Sequence, residues 1–265
     1  MQVNGTEIAT DRRTSSMPFA GLLFESHTIP EMTDIAITGN PQIARHVDLI
    51  DEELRGWNCG IIYGNLMPIL LPFSADQDRE QILARRQQYL DQPEQFSWYT
   101  ADGEIRSGAR SAMVPQQHIQ YQRPLLDGES LSYEFFYEAD QQEVHPSIGR
   151  IAVLLRPEGA KLRWLPQGRS LESLELDPLN EVAPDEVLGS GALQLHQGQW
   201  NTVELTADGD RVRVAVNGEP VCSLATSIDK RPGLLGEQGR GCRVRAMRLS
   251  GPWPETLPDN LLELR

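Results

Sequence analysis

The sequence predicts an all-β fold, a two-sheet antiparallel jelly-roll sandwich with one inserted helix. Three observations lead there. First, residues 199–251 alternate apolar and polar side chains in short runs: Trp200, Val203 and Leu205, then Val212, Val214 and Val216, then Val221 to Leu224, Gly233 to Gly236 and Cys242 to Leu249. Alternation with period 2 sets one face of each strand against a core. Second, Asp208-Gly209 and Asn217-Gly218 punctuate those runs, and such pairs favour the tight turns of β-hairpins. Five strands in this segment read as one antiparallel meander, which must bury a face on a second sheet. Third, only Ser74 to Leu90 carries a helical pattern, against about a dozen strand-like runs, a balance that suits two packed sheets.

Taken in order, VNGTEIAT at Val3 to Thr10 reads as a hairpin turn, FAGLLFE as a short strand and MTDIAIT as another. Asn40 to Trp57 reads as a connection ending in an aromatic anchor. Ser74 or Asp76 caps the helix, whose face holds Ile82, Leu83, Tyr89 and Leu90; Asp91-Gln92-Pro93 ends it. FSWYTADGEIRSG is strand, turn and strand about Asp102-Gly103, and HIQYQRPLL is a further strand. SLSYEFFYEAD sets Leu131, Tyr133, Phe135 and Tyr137 on one face. GRIAVLLRPEGAKLRWLP is a hairpin whose first arm, apolar on both faces from Ile151 to Leu155, belongs in the middle of a sheet. Leu171 to Gly191 is acidic and proline-bearing, and reads as a long surface loop. Tyr133, Phe135, Tyr137, Ile151, Val153, Leu155, Val203, Leu205, Val212, Val214 and Val216 are the expected core. Trp164 and Trp200 are assigned to it too.

Composition excludes several classes. The chain has 265 residues, enough for a sizeable core. Its net charge of −14, from 38 acidic and 24 basic residues, argues against a nucleic-acid partner. No apolar run approaches the ~20 residues of a membrane helix. The first residues lack the charged-then-apolar pattern of a signal peptide, and the compartment stays open. Three cysteines, Cys59, Cys222 and Cys242, make no C-x-x-C and no zinc site. A Cys222–Cys242 bridge is the alternative to buried free thiols, which are favoured.

An internal recurrence alters the domain picture. Val3-Asn4-Gly5 returns as Val216-Asn217-Gly218, and Gly21-Leu22-Leu23 as Gly233-Leu234-Leu235. MTDIAITG returns in pattern as VRAMRLSG, with a proline soon after each. The spacing is 213 positions at the first match and 212 at the others. Two hairpins that independently chose Asn-Gly are the plainer account. A tandem repeat is the sharper one: residues 1–43 are then the closing strands of a preceding copy, and 44–265 a complete sandwich, the chain being part of a longer protein.

The stretches YEFFYEADQQEVHPSIGRIAVLLRPEGAKLRWL, GQWNTVELTADGDRVRVAVNGEPV and VRAMRLSGPWPETLP resemble a planctomycete-type bacterial family of uncharacterised domains. That family has a concanavalin A-like lectin/glucanase sandwich. The resemblance runs from roughly Asn40 to Pro258 and extends to the 3-keto-disaccharide hydrolase domains, which share the G-x-W-N and V-N-G hairpin. It implies more than one copy per polypeptide and no assigned biochemical role. The Ser74 to Leu90 helix departs from the family.

Chemistry concentrates at Glu134, Glu138, Asp140, Glu143 and His145. Glu134 and Glu138 lie on one face of a strand; with His145 they would form a catalytic acid and base acting on a sugar, or hold a divalent metal such as calcium. The plainer account is a solvated strand face, with His145-Pro146 a turn whose imidazole caps a backbone group. Trp253, between two prolines, is the expected carbohydrate-binding platform. The remaining histidines show no ligand spacing, no nucleotide or hydrolase motif occurs, and no cofactor is expected. Three readings follow: a non-catalytic module that binds carbohydrate or a partner, foremost; a glycoside-cleaving enzyme using Glu134, Glu138 and His145; and a structural spacer. The sequence leaves the oligomeric state open.

Overall fold

Asx-Gly pairs close the hairpins. Asp102 (φ 54°) and Gly103 (φ 74°) link β5 (Trp98–Ala101) to β6 (Glu104–Ser107), and Asn217 (φ 51°) and Gly218 (φ 83°) link β15 (Arg211–Val216) to β16 (Glu219–Ala225). Positive φ at both turn positions marks the type I′ turn, whose twist matches the flanking strands. Between β14 (Gln199–Asp208) and β15 the turn residues are Gly209 and Asp210, one position later than the Asp-Gly pair implies. The computed structural model describes residues 2–3, 6–7, 44–59, 98–108, 116–165, 181–225, 229–237 and 241–253. The expected helix at Ser74 to Leu90 lies outside them.

The other strands are β1 (Gln2–Val3), β2 (Thr6–Glu7), β3 (His46–Asp48), β4 (Trp57–Cys59), β7 (Gln116–Tyr121), β8 (Ser130–Tyr137), β9 (Glu143–Ile148), β10 (Ile151–Arg156), β11 (Gly159–Trp164), β12 (Glu181–Val182), β13 (Glu186–Val187), β17 (Pro232–Glu237) and β18 (Arg243–Ser250). Apart from β1 and β2, the strands form a sandwich of two antiparallel sheets. The seven-stranded sheet runs β12-β11-β10-β9-β17-β7-β4. The nine-stranded sheet runs β13-β16-β15-β14-β8-β18-β6-β5, with β3 also on β18. The hairpin β1–β2 pairs only within itself among the described residues.

The expected meander is therefore divided. β14, β15 and β16 are consecutive neighbours, but β17 crosses to lie between β9 and β7, and β18 returns between β8 and β6. Alternation reports which face is buried, and it does not say which sheet a strand joins. Three smaller expectations also change. The connection Asn40 to Trp57 contains β3, the surface loop contains the edge strands β12 and β13, and His145-Pro146 lies within β9 rather than in a turn. Proline withholds its N–H from the ladder, which hides a strand from propensity. Here β9 pairs with β17 along its whole length but with β10 only at Ile148 and Ser147.

The expected core is the observed one. Tyr133, Phe135, Tyr137, Val153, Leu155, Val203, Leu205, Val212, Val214 and Val216 are buried between the sheets, with Ile151 packed partly buried against them. Trp164 and Trp200 are corrections. Trp164 is 50 % exposed at the end of β11, and Trp200 has the opposite parity to Val203 and Leu205, so its indole stands on the outer face of the nine-stranded sheet. Parity gives the inward place to Asn201. This fully buried amide accepts from His196 N (2.8 Å) and from Asn217 Nδ2 (2.9 Å), while Asn217 Oδ1 accepts from Thr202 N (2.8 Å). The two asparagines of the G-x-W-N and V-N-G motifs thus latch β14 to the turn between β15 and β16. Cys222 and Cys242 are buried free thiols; burial pushes the Cys222 thiol up to about 12 and raises Cys242 as well.

Candidate functional site

The outer face of the nine-stranded sheet carries a cross-strand ladder of aromatic and arginine side chains. On β8 and β14 the residues between the core positions point outward, and the register sets Trp200 opposite Phe136. On β18 the outward residue beside Phe136 is Arg243, which stands opposite Arg106 of β6, itself opposite Tyr99 of β5. The row thus reads Trp200, Phe136, Arg243, Arg106, Tyr99. Phe136 meets the Trp200 ring edge-on, with centroids 5.6 Å apart. The Arg243 guanidinium lies 5.3 Å from the centre of Phe136 and 5.0 Å from that of Trp200. Arg245, one outward position along β18, lies 4.1 Å from Trp200. Guanidinium groups stack on aromatic faces through the ring quadrupole.

Carboxylates interleave with these cations. Glu104, 8 % exposed, takes both Nε (2.9 Å) and Nη2 (2.6 Å) of Arg243 and also Nε of Arg106 (2.9 Å). The Arg243 hydrogen bonds, aided by Arg106, hold its carboxyl below the usual range against the opposing effect of burial. Glu134 accepts from Arg245 Nε at 2.5 Å through Oε2. Trp200, Phe136 and Glu134 are all partly exposed. The arrangement offers ring surface flanked by planar donors and acceptors, which is the chemistry that holds a polyhydroxylated ligand.

The structure does not bring the predicted site residues together. Glu134 stands on the outer face of the nine-stranded sheet. His145 pairs with Leu235 on the seven-stranded sheet, and that pair faces away from the common core, with Leu235 in the separate apolar cluster of Ala152, Leu154 and Leu165. The two are therefore on opposite sides of the sandwich. His145, 1 % exposed, uses Nδ1 to accept the Leu155 backbone N–H at 3.1 Å, where the β9–β10 ladder lapses, and its Nε2 faces Glu143 at 4.0 Å. Glu138 lies past the end of β8 in a turn bridged to Gln142, with Asp140 at φ 60°. Four residues of strand put Glu134 and Glu138 about 13 Å apart, beyond the roughly 5–9.5 Å of glycosidase carboxylate pairs. Trp253 lies just past β18 and is partly buried. Its Nε1 donates to Ala44 O at 2.7 Å, and its ring packs partly buried against the core. Among the described residues no cluster of His, Cys, Asp and Glu is placed to hold a metal ion, and no helix is long and apolar enough to cross a membrane.

Residue type hides the ladder, because it places Trp200 in the core. Strand parity was the available signal: in SYEFFY, Phe136 is the aromatic out of step with Tyr133, Phe135 and Tyr137, and in CRVRAM the two arginines alternate around Val244.

A family described as a domain of unknown function (DUF1583_N) matches residues 113–256, more than half of the chain. The chain belongs to that family. The DUF1583_N match covers β7 to β18, and so includes Glu134, Phe136, Trp200, Arg243 and Arg245 but not Tyr99, Glu104 or Arg106. A second family, described as a protein of unknown function (DUF1581), matches residues 1–81. No curated protein matches the chain. Solved structures similar to this DUF1583_N chain include the carbohydrate-binding module CBM66 from Bacillus subtilis, at 10 % identity and a TM-score of 0.40, covering 60 % of this chain and 93 % of that one. A variant of human galectin-16 aligns at 7 % identity and TM-score 0.37, over 58 % of this chain and 99 % of that one. The alginate lyase AlgAT5 of polysaccharide lyase family 7 aligns at 8 % and 0.34, over 59 % and 83 %. At these values nothing about the site follows from them.

Proposed function

We propose that the chain is a non-catalytic carbohydrate-binding module whose ligand lies on the outer face of the nine-stranded sheet. The observation that carries this reading is the partly exposed Trp200–Phe136 pair with Arg245 and Glu134 at its side. Sugars are bound by such a combination, because apolar C–H faces pack on aromatic rings while hydroxyls bond to flanking polar groups. The separation of Glu134 from His145 and the ~13 Å between Glu134 and Glu138 weigh against glycoside cleavage by those residues. Affinity electrophoresis of the folded chain in gels containing soluble polysaccharides tests the proposal. At least one polysaccharide retards the chain, and Trp200→Ala removes the retardation while leaving circular dichroism unchanged.

One observation favours a structural spacer instead. The ladder satisfies much of itself, since Arg243 and Arg245 both stack on Trp200 and are both carboxylate-paired. In that case Trp200→Ala lowers the melting temperature and no polysaccharide distinguishes the variant from the parent.

A further inference from the structure

We infer, resting on that reading of the face, that the ligand is an uncharged, linear glycan of several sugar rings laid across the strands. The class of ligand follows from what the ladder leaves unused. Every guanidinium in it is already matched: Arg243 and Arg106 by Glu104, Arg106 also by Asp102 at 2.9 Å, and Arg245 by Glu134. No cation remains uncompensated to hold a carboxylate or sulfate group, and the chain's net charge of −14 repels polyanions.

Hydrogen-bonding capacity does remain, and it is of both kinds. Among the described residues Arg245 engages only Nε, so its two Nη groups carry four unengaged N–H donors. Glu134 engages only Oε2 among the described residues, which leaves Oε1 as an acceptor, and Trp200 Nε1 has no partner there. Donors and an acceptor side by side suit a hydroxyl, which donates to Glu134 Oε1 while accepting from an Arg245 Nη. An anionic group accepts only, and it would face the Glu134 carboxylate unfavourably.

Length follows from the register. The row from Trp200 to Tyr99 crosses β14, β8, β18, β6 and β5. Four interstrand steps of about 4.8 Å make it ~19 Å long, a span for a run of rings rather than one. Phe136 and Trp200 supply ring surface at one end and Tyr99 at the other.

The test is a glycan array carrying linear neutral oligosaccharides (β-glucan, xylan, mannan and galactan series from two to six rings) beside oligogalacturonates and sulfated oligosaccharides. It is probed with the full chain and with Trp200→Ala, Glu134→Gln and Arg245→Gln, each checked for folding by melting temperature. The expected result is binding to neutral chains only, with affinity rising about tenfold or more from two to six rings and falling about tenfold or more in Glu134→Gln and Arg245→Gln. Trp200-dependent binding to the acidic probes overturns the uncharged ligand and leaves the platform standing. Equal affinity for two and six rings overturns the extended span. Absence of any Trp200-dependent signal overturns both the inference and the function it rests on.

Discussion

Tyr133 buries its whole ring in the core, and its hydroxyl finds no hydrogen-bond partner among the described residues. Burial also holds its phenol far above the usual range. An orphaned buried donor costs about 1–3 kcal/mol, so Tyr133→Phe should raise stability by ~1 kcal/mol, read as a higher urea midpoint with an unchanged slope. His118 gives a second effect at this scale. It bonds Ser147 Oγ at 2.9 Å, and burial together with the nearby Arg231 lowers its pKa to about 4. In the unfolded chain it takes a proton near its ordinary 6.5, so between pH 6.5 and 4 the unfolded state binds more protons and stability falls as pH falls, by at most about 3 kcal/mol. Chemical denaturation across that window should show the loss, and His118→Gln should flatten it. Neither residue was legible as special in the sequence. Alternation places Tyr133 in the core, where it is buried, but a hydroxyl's partner depends on the facing sheet. His118 was one of several scattered histidines until β7, β9 and β17 brought it against Ser147.

β8 shows what a strand pattern does and does not encode. Its alternation named Tyr133, Phe135 and Tyr137 as inward, and they are, because β8 lies between β14 and β18 with one face on the core. Phe135→Ala should therefore cost about 3–5 kcal/mol, measurable as a lower denaturation midpoint, whereas Phe136→Ala on the outer face should cost much less and act on binding. The same alternation set Glu134 outward correctly, yet it could not locate His145. That residue is only eleven positions on in the sequence, but β9 belongs to the other sheet. Adjacency in sequence makes an apparent acidic and histidine cluster, and the change of sheet between β8 and β9 takes it apart.

At the scale of the molecule, the recurrence in the sequence now has a structural template. The hairpin β1–β2 pairs Val3 with Thr6, as Val216 pairs with Glu219 at the Asn217-Gly218 turn. β18 has irregular apolar spacing, Val244, Met247 and Leu249, because it bulges between Arg245 and Arg248 with Ala246 at φ 51°. Met32, Ile35 and Ile37 keep that spacing, and Asp34, a residue type that tolerates left-handed backbone, matches Ala246. Gly233 is closed to any side chain, since a Cβ there would lie 2.5 Å from Ile119 O, and Gly21 matches it. The match departs where Asp11 aligns in sequence with buried Leu224, and Phe24 with Gly236, which lies beside Trp98. Residues 8–43 lie outside the described residues. In the template, β17 is bonded by β9 and β7, and β18 by β8 and β6. One sandwich has one such slot in each sheet, already filled by residues 232–250, and β3 and β4 join the sheets from position 46 onward. Removing residues 1–43 should therefore lower the melting temperature by no more than about 4 °C, equivalent to ~1 kcal/mol in a chain of this size. Removing 216–251 should abolish cooperative unfolding, because it takes a central strand from both sheets. Calorimetry of the two truncated chains beside the parent checks the boundary, which the DUF1581 match crosses by running on to residue 81. Loss of the cooperative transition on removing 1–43 alone would show that those residues belong to this sandwich and not to a preceding copy.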